Sequence, residues 1–231
     1  MSLEENIRRV KEKIAQAARE VGRDPVEITL VAATKTQSDE TIRAAIAAGI
    51  TVCGENRVQE MVAHLEHDAY GMAGLHFIGH LQTNKVKQVV GRVDLIESVD
   101  SPRLLEAIDK RAGELGIRQD ILIQVNIGRE ESKGGVPPEE TEDMARRALD
   151  CSHVRLRGVM AIPPVVPERE RREFFHQMYE IYVDIIRKMS HNKNDINCLS
   201  MGMSRDYMEA IRAGATLIRV GTGLFGPRPA V

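Results

Sequence analysis

Eight times along its 231 residues, this chain repeats a short run of branched apolar residues that ends in a turn. The runs fall at 28–34, 51–53, 75–78, 94–99, 121–127, 154–161, 197–200 and 216–220. Each has the length and β-branched richness of a buried strand. A helical pattern follows each of the first seven. Strand–helix–strand alternation predicts parallel neighbours joined by right-handed crossovers. Eight such units at this chain length predict an α/β fold of the (β/α)₈ barrel type. The competing solution is a doubly wound open sheet, which would place a GxGxxG turn after a strand, and the sequence has none. Ile7, Val10, Ile14, Ala17 and Val21 recur at helical spacing, so an extra amphipathic helix precedes the first strand. With no low-complexity segment and no linker, residues 1–231 read as a single domain.

Punctuation supports this division. Ser38 before Asp39 and Glu40 reads as a helix N-cap, as does Ser101 before Pro102. Ser204 is expected to cap the helix that ends at Gly214.

Composition narrows the function. Lys and Arg total 32 against 34 Asp and Glu, a net charge of −2 that gives no electrostatic reason to bind nucleic acid or an anionic membrane. Tryptophan is absent and aromatics are 3%, too few for a base-stacking platform. Cys53, Cys151 and Cys198 are far apart and form no CxxC, which suits reduced thiols in a cytoplasmic protein. No signal-peptide core and no membrane-length apolar stretch appear. His64, His67 and His76 lack ligand spacing with cysteine or carboxylate and read as surface histidines. A GxSxG nucleophile elbow is missing.

A (β/α)₈ barrel builds its site at the carboxyl ends of its strands. Those ends supply Lys35, Asn56, His80, Ser98 with Asp100, Asn126, Met160, Ser200 and the Arg219–Thr222 segment. A lysine at a strand end is either an ammonium in water or an amine for a Schiff base. Ser200-Met201-Gly202-Met203-Ser204 and Gly221-Thr222-Gly223 follow strands seven and eight, where barrels commonly hold phosphate on backbone N–H groups. Arg219 interrupts an apolar strand and needs a partner, either a core carboxylate such as Glu97 or Glu55 or a ligand acceptor at the mouth.

Together these stretches resemble one family. They are Ala32-Ala33-Thr34-Lys35-Thr36, Gly54-Glu55-Asn56-Arg57-Val58-Gln59-Glu60, residues 76–85, Glu97-Ser98-Val99-Asp100, Asn126-Ile127-Gly128 with Ser132-Lys133-Gly135, Leu199–Ser204, and 219–226. In that order and across nearly the whole chain, they resemble the pyridoxal phosphate homeostasis proteins, whose barrel is like the N-terminal domain of alanine racemase. The resemblance implies bound pyridoxal 5′-phosphate (PLP). It implies that Lys35 forms the internal aldimine and Arg219 faces the pyridine nitrogen. It also implies that Ser200, Gly221 and Thr222 hold the phosphate with backbone near Met201 and Gly202, and that Asn56 lies beside the cofactor. Leu75 stands where many members have tryptophan, and Arg57 where some have tyrosine.

The residues agree with that implication. Arg219 cannot give up its proton, so a pyridine nitrogen opposite it stays an unprotonated acceptor. This weakens the ring as an electron sink, the property that PLP catalysis mostly uses. The expected function is therefore a PLP carrier and regulator in vitamin B6 homeostasis without turnover, a monomer whose partners are PLP and apo-enzymes that use it. The alternative is a single-domain PLP-dependent amino-acid racemase with Lys35 as one base. In alanine racemase the second base is a tyrosine from a partner subunit's second domain, which is not expected here, so the nearest candidate is Tyr207, for which helix packing is the better reading.

Overall fold

Eight parallel strands close on themselves in sequence order in this computed structural model, which describes residues 2–189 and 195–227. β1 (Thr29–Ala33) pairs with β2 (Val52–Glu55), which is followed by β3 (Gly74–Phe77), β4 (Leu95–Val99), β5 (Gln119–Val125), β6 (Val154–Ala161) and β7 (Cys198–Met203). β8 (Leu217–Val220) returns to pair with β1. Helix α1 (Leu3–Glu20) precedes the barrel. The crossovers carry α2 (Asp39–Ala47), α3 (Val58–Glu66), α4 (Val86–Val89), α5 (Pro102–Leu115), α6 (Thr141–Asp150), α7 (Glu168–Lys188) and α8 (Tyr207–Arg212). A last short turn, α9 (Thr222–Phe225), follows β8. The expected (β/α)₈ barrel is thus the observed one, N-terminal helix included.

The helix starts follow capping chemistry. Ser2 and Glu5 form a reciprocal capping box on α1, with Glu5 N donating to Ser2 Oγ at 3.2 Å and Ser2 N to Glu5 Oε2 at 2.9 Å. Ser38 accepts from Thr41 N and Ser101 from Leu104 N, as their positions predict. α1 lies along α8 and α9, and Asn6 Nδ2 donates to Leu224 O at 3.0 Å. The first helix therefore holds the turn that follows β8.

Strand periodicity separates two cores. Outward-facing strand residues such as Ala32, Cys53, Phe77, Ile96 and Ile123 pack under the helices. The inward set is Val31, Ala33, Ile78, Leu95, Leu122, Met160 and Leu217. With a period of two, Glu97 follows Leu95, Arg219 follows Leu217, Ser200 follows Cys198 and His76 precedes Ile78, so four polar residues fall inside the barrel.

Four elements differ from expectation, one of them β5, which spans Gln119–Val125 and not 121–127. The helix expected after β3 is one 3₁₀ turn over Thr83–Lys85 and the single α-turn α4. β2 runs two residues further, to Glu55. β7 does not stop at Ser200 but continues to Met203 through a bulge, because Ser200 is opposite Leu217 while Met203 is opposite Arg219. Gly202 makes that bulge possible at φ +93°, where a Cβ would lie 2.5 Å from Ala210 Cβ.

Candidate functional site

The most enclosed part of the site is a polar chain inside the barrel. Glu97, with no exposed surface, accepts from Ser200 Oγ at 2.5 Å on Oε2 and pairs with His76 Nδ1 at 2.7 Å on Oε1. Ser200 Oγ in turn accepts from Arg219 Nη1, and Arg219 Nη2 donates to Ala161 O at 2.9 Å. The ion pair itself is indirect, with Arg219 Nη1 3.7 Å from Glu97 Oε2 and the serine hydroxyl bridging them. Burial would push the Glu97 carboxyl up, but His76, Arg219 and Ser200 together hold it below the ordinary carboxylate value. Of the two carboxylates considered for Arg219, the partner is Glu97. His76 is a buried member of this chain and not a surface residue, because the two-residue period that turns Ile78 inward turns His76 inward as well.

Lys35 stands two residues past Ala33, in the turn closed by Gln37 N on Thr34 O at 3.0 Å. Ala33 is level with Gly54 in the β1–β2 register, so Lys35 and Asn56 both lie two residues beyond that level at neighbouring strand ends. Both are half-buried. The residue after the lysine, Thr36, has φ +64°, which a β-branched side chain seldom adopts. Its N–H donates to Glu60 Oε2 at 3.1 Å, tying the lysine turn to α3. Asn56 is fixed from the other side. A Cβ on Gly79 would fall 2.0 Å from Asn56 O, so only glycine lets the end of β3 pass this close. Asn56 Oδ1 is buried without a hydrogen-bond partner among the described residues. A cavity of about 230 Å³ opens beside it, walled by Ile78, His80, Gln124, Lys133 and Ile162.

The loops after β7 and β8 meet through Ser204. Its Oγ accepts from Gly221 N at 3.2 Å and from Gly223 N at 3.1 Å. Ser204 is therefore not the cap of α8, whose N-cap residue is Asp206. Two backbone donors converging on one oxygen form a small anion-type nest. Gly221 is half-buried and Thr222 exposed at its rim. Met201 is fully buried under the helices, and Gly202 abuts α8 through Tyr207 and Ala210.

The structure thus brings Lys35 and Asn56 to adjacent strand ends, and Gly221 and Thr222 to the nest. Arg219 and Ser200 meet inside the barrel. The Ser200 hydroxyl is spent on Glu97 and Arg219, so it contributes nothing to the rim. Sequence reasoning missed the roles of Ser204, Glu60 and His76. The alternation around Ile78 carried the signal for His76. The other two depend on contacts across loops that no local pattern encodes. Three further histidines have carboxylate partners: His64 and His67 share Asp39 at 2.5 and 2.7 Å, and His80 meets Asp100 at 3.1 Å. Among the described residues, no His, Cys, Asp and Glu group is arranged to hold a metal ion, and no helix is long and apolar enough to cross a membrane.

Comparison with known proteins places this geometry. The family model described as alanine racemase, N-terminal domain, matches residues 2–229. The chain is 42% identical over 225 residues to the pyridoxal phosphate homeostasis protein of Aquifex aeolicus, covering 97% of each. It is 40% identical over 228 residues to the protein of the same name from Escherichia coli K12, covering 96% of this chain and 95% of that one. The solved structure of PipY from Synechococcus elongatus with PLP bound superposes with a TM-score of 0.80 at 34% identity, over 92% of this chain and all of PipY. On these matches, the chain belongs to the pyridoxal phosphate homeostasis protein group of the alanine racemase N-terminal domain family.

Proposed function

We propose that this protein binds PLP, held covalently through Lys35, and acts in intracellular vitamin B6 homeostasis as a carrier or regulator of the cofactor without substrate turnover. The observation that carries this reading is the pairing of a strand-end lysine with a two-amide nest on the neighbouring β8 loop. The relatives' shared name and the PLP bound to PipY support it. The residues fit the group. Asn56 Oδ1 is an orphaned acceptor among the described residues beside the lysine strand, and Ser204, whose Oγ takes the Gly221 and Gly223 N–H groups, has a hydroxyl proton suited to a phosphate oxygen.

PLP, when bound, supplies an aldehyde carbon with which a primary amine condenses, losing one water. Lys35 is the amine. Ser204, Gly221 and Thr222, with backbone near Met201 and Gly202, would hold the phosphate, and Asn56 would border the ring. Arg219 would face the ring nitrogen, to which it cannot give up a proton. A site of this kind favours storage and release of the aldehyde over stabilisation of carbanions. The tyrosines fit this reading too. Tyr70 OH is bonded to Glu55, and Tyr207 is 6% exposed in the first turn of α8, so neither is placed as a second base. Tyr179 and Tyr182 lie on α7, in the helical layer.

The test is an absorption spectrum of purified protein incubated with PLP, before and after borohydride. A visible band that borohydride abolishes, absent from Lys35→Ala, is expected. A flat wild-type spectrum refutes the reading, and sustained L-alanine to D-alanine conversion dependent on Lys35 refutes the absence of turnover.

A further inference from the structure

Ser200, for which the family resemblance implies a phosphate contact, lies within β7 before the Gly202 bulge, and its side chain is fully buried and faces the barrel interior. A hydroxyl has one proton to donate. In Ser200 that proton goes to Glu97 Oε2 at 2.5 Å, and the oxygen accepts from Arg219 Nη1. Meanwhile the nest of Gly221 and Gly223 N–H groups is served by a different serine, Ser204. The bulge at Gly202 separates the two, turning Ser200 into the barrel and carrying Ser204 back over β8.

We propose that Ser200 is a positioning residue and not a phosphate contact: as the bridge between Glu97 and Arg219, it aims the guanidinium at the ring nitrogen of the bound cofactor, with His76 holding Glu97 from behind.

Arg219 is buried, so its orientation is decided by fixed acceptors and not by solvent. Two are in place, Ser200 Oγ and Ala161 O. Together they fix the plane of the guanidinium. Without the hydroxyl, Nη1 and Glu97 Oε2, now 3.7 Å apart, are free to close into a direct pair, and the guanidinium turns away from its present axis. His76 completes the device by occupying Glu97 Oε1, which leaves Oε2 for Ser200. The inference rests on the reading above that PLP is the ligand and that Arg219 faces its ring nitrogen.

The test separates ring from phosphate. Affinities for PLP and for pyridoxal, which lacks the phosphate, are measured for wild type, Ser200→Ala, Ser200→Cys and Ser204→Ala. In parallel, the ring nitrogen of ¹⁵N-labelled PLP is followed by NMR as pH is lowered. Ser200→Cys keeps the volume and replaces the hydroxyl with a poor hydrogen-bonding thiol, so it stays informative if the alanine variant does not fold. The expected result is a PLP-to-pyridoxal affinity ratio within about twofold of wild type in both Ser200 variants and about tenfold lower in Ser204→Ala. The ring nitrogen is expected to stay unprotonated in wild type and to become titratable in the Ser200 variants. In cofactor-free protein, the Arg219 side-chain N–H signals should be protected from exchange and lose that protection in Ser200→Ala. The proposal is overturned if the Ser200 variants lose the phosphate-dependent ratio while the ring nitrogen signal stays as in wild type. A wild-type protein that binds neither ligand refutes the PLP reading itself, a separate outcome.

Discussion

Glu55 and Glu97 are both fully buried strand glutamates, and they titrate in opposite directions. Glu97 faces the barrel interior and is surrounded by His76, Ser200 and Arg219. Glu55 faces the layer beneath α3, where Thr34 Oγ1 donates to it at 2.5 Å and Tyr70 OH at 3.1 Å, and its Oε2 has no hydrogen-bond partner among the described residues. Burial pushes the Glu55 carboxyl up, and two neutral hydroxyls offset only part of that. Around Glu97, a cation and two hydrogen-bonding side chains outweigh the same penalty. Burial alone does not set the charge state of a carboxyl group. The partners do, and the cationic partner lies in the interior, at the candidate site.

The largest expected break in this comparison is Glu97→Gln. It leaves Arg219 buried without a counter-charge, and a loss of about 3–5 kcal/mol in urea unfolding is expected. Replacing Glu97 and Arg219 together by methionine should cost less than Glu97→Gln alone, because no charge is then stranded. Glu55→Gln should change stability by less than about 1 kcal/mol, since it replaces a carboxyl group already biased toward its neutral form. Equal losses from Glu55→Gln and Glu97→Gln would end the distinction between the two regions.

Gly202→Ala comes next. A methyl group 2.5 Å from Ala210 Cβ, on a backbone at φ +93°, should cost about 2 kcal/mol by the same unfolding measurement. It should also disturb Ser200 and Ser204 together, since the bulge orients both.

The pH dependence sharpens the contrast. The Glu97 carboxyl is lowered in the folded state, so its contribution is present above its unfolded value near 4.5 and is lost as pH falls through the folded one. The Glu55 carboxyl is raised, so its contribution is present below its unfolded value and is lost as pH rises through the folded one. Relative to wild type, Glu55→Gln should therefore gain stability as pH rises above the ordinary carboxylate value, and the Glu97→Gln deficit should shrink as the solution is acidified below that range. Urea titrations across that span check both signs. The smallest effect expected is Thr36→Gly, which relieves a left-handed threonine and should raise stability by about 1 kcal/mol or less. Its interest lies in whether the lysine turn, freed of that constraint, still presents Lys35, and the visible absorption of PLP-loaded protein reports on this.

The barrel was legible because each strand announces itself by a branched apolar run and several crossovers by a capping serine or a glycine stop, as at Ser38, Ser101 and Gly116. The short α4 was not legible, because residues 83–90 carry a helical pattern that the tight β3–β4 crossover truncates. The extent of β7 was hidden by Gly202, which in sequence reads as the end of a strand and in the structure makes a bulge within one. Lys35, Arg219 and the glycine loops were legible from their positions at strand ends. The directions of the two serines were not. Ser200 and Glu97 are 103 residues apart in sequence, and Ser204 meets Gly221 and Gly223 across two loops, so both contacts exist only once the barrel has closed.

The most direct test of the central claim is to load the protein with PLP, reduce it with borohydride, digest it and locate the added mass by tandem mass spectrometry. The account predicts one modified peptide carrying the label on Lys35, and no such peptide from Lys35→Ala. Label on another lysine in wild type, or none at all despite bound PLP, would contradict it.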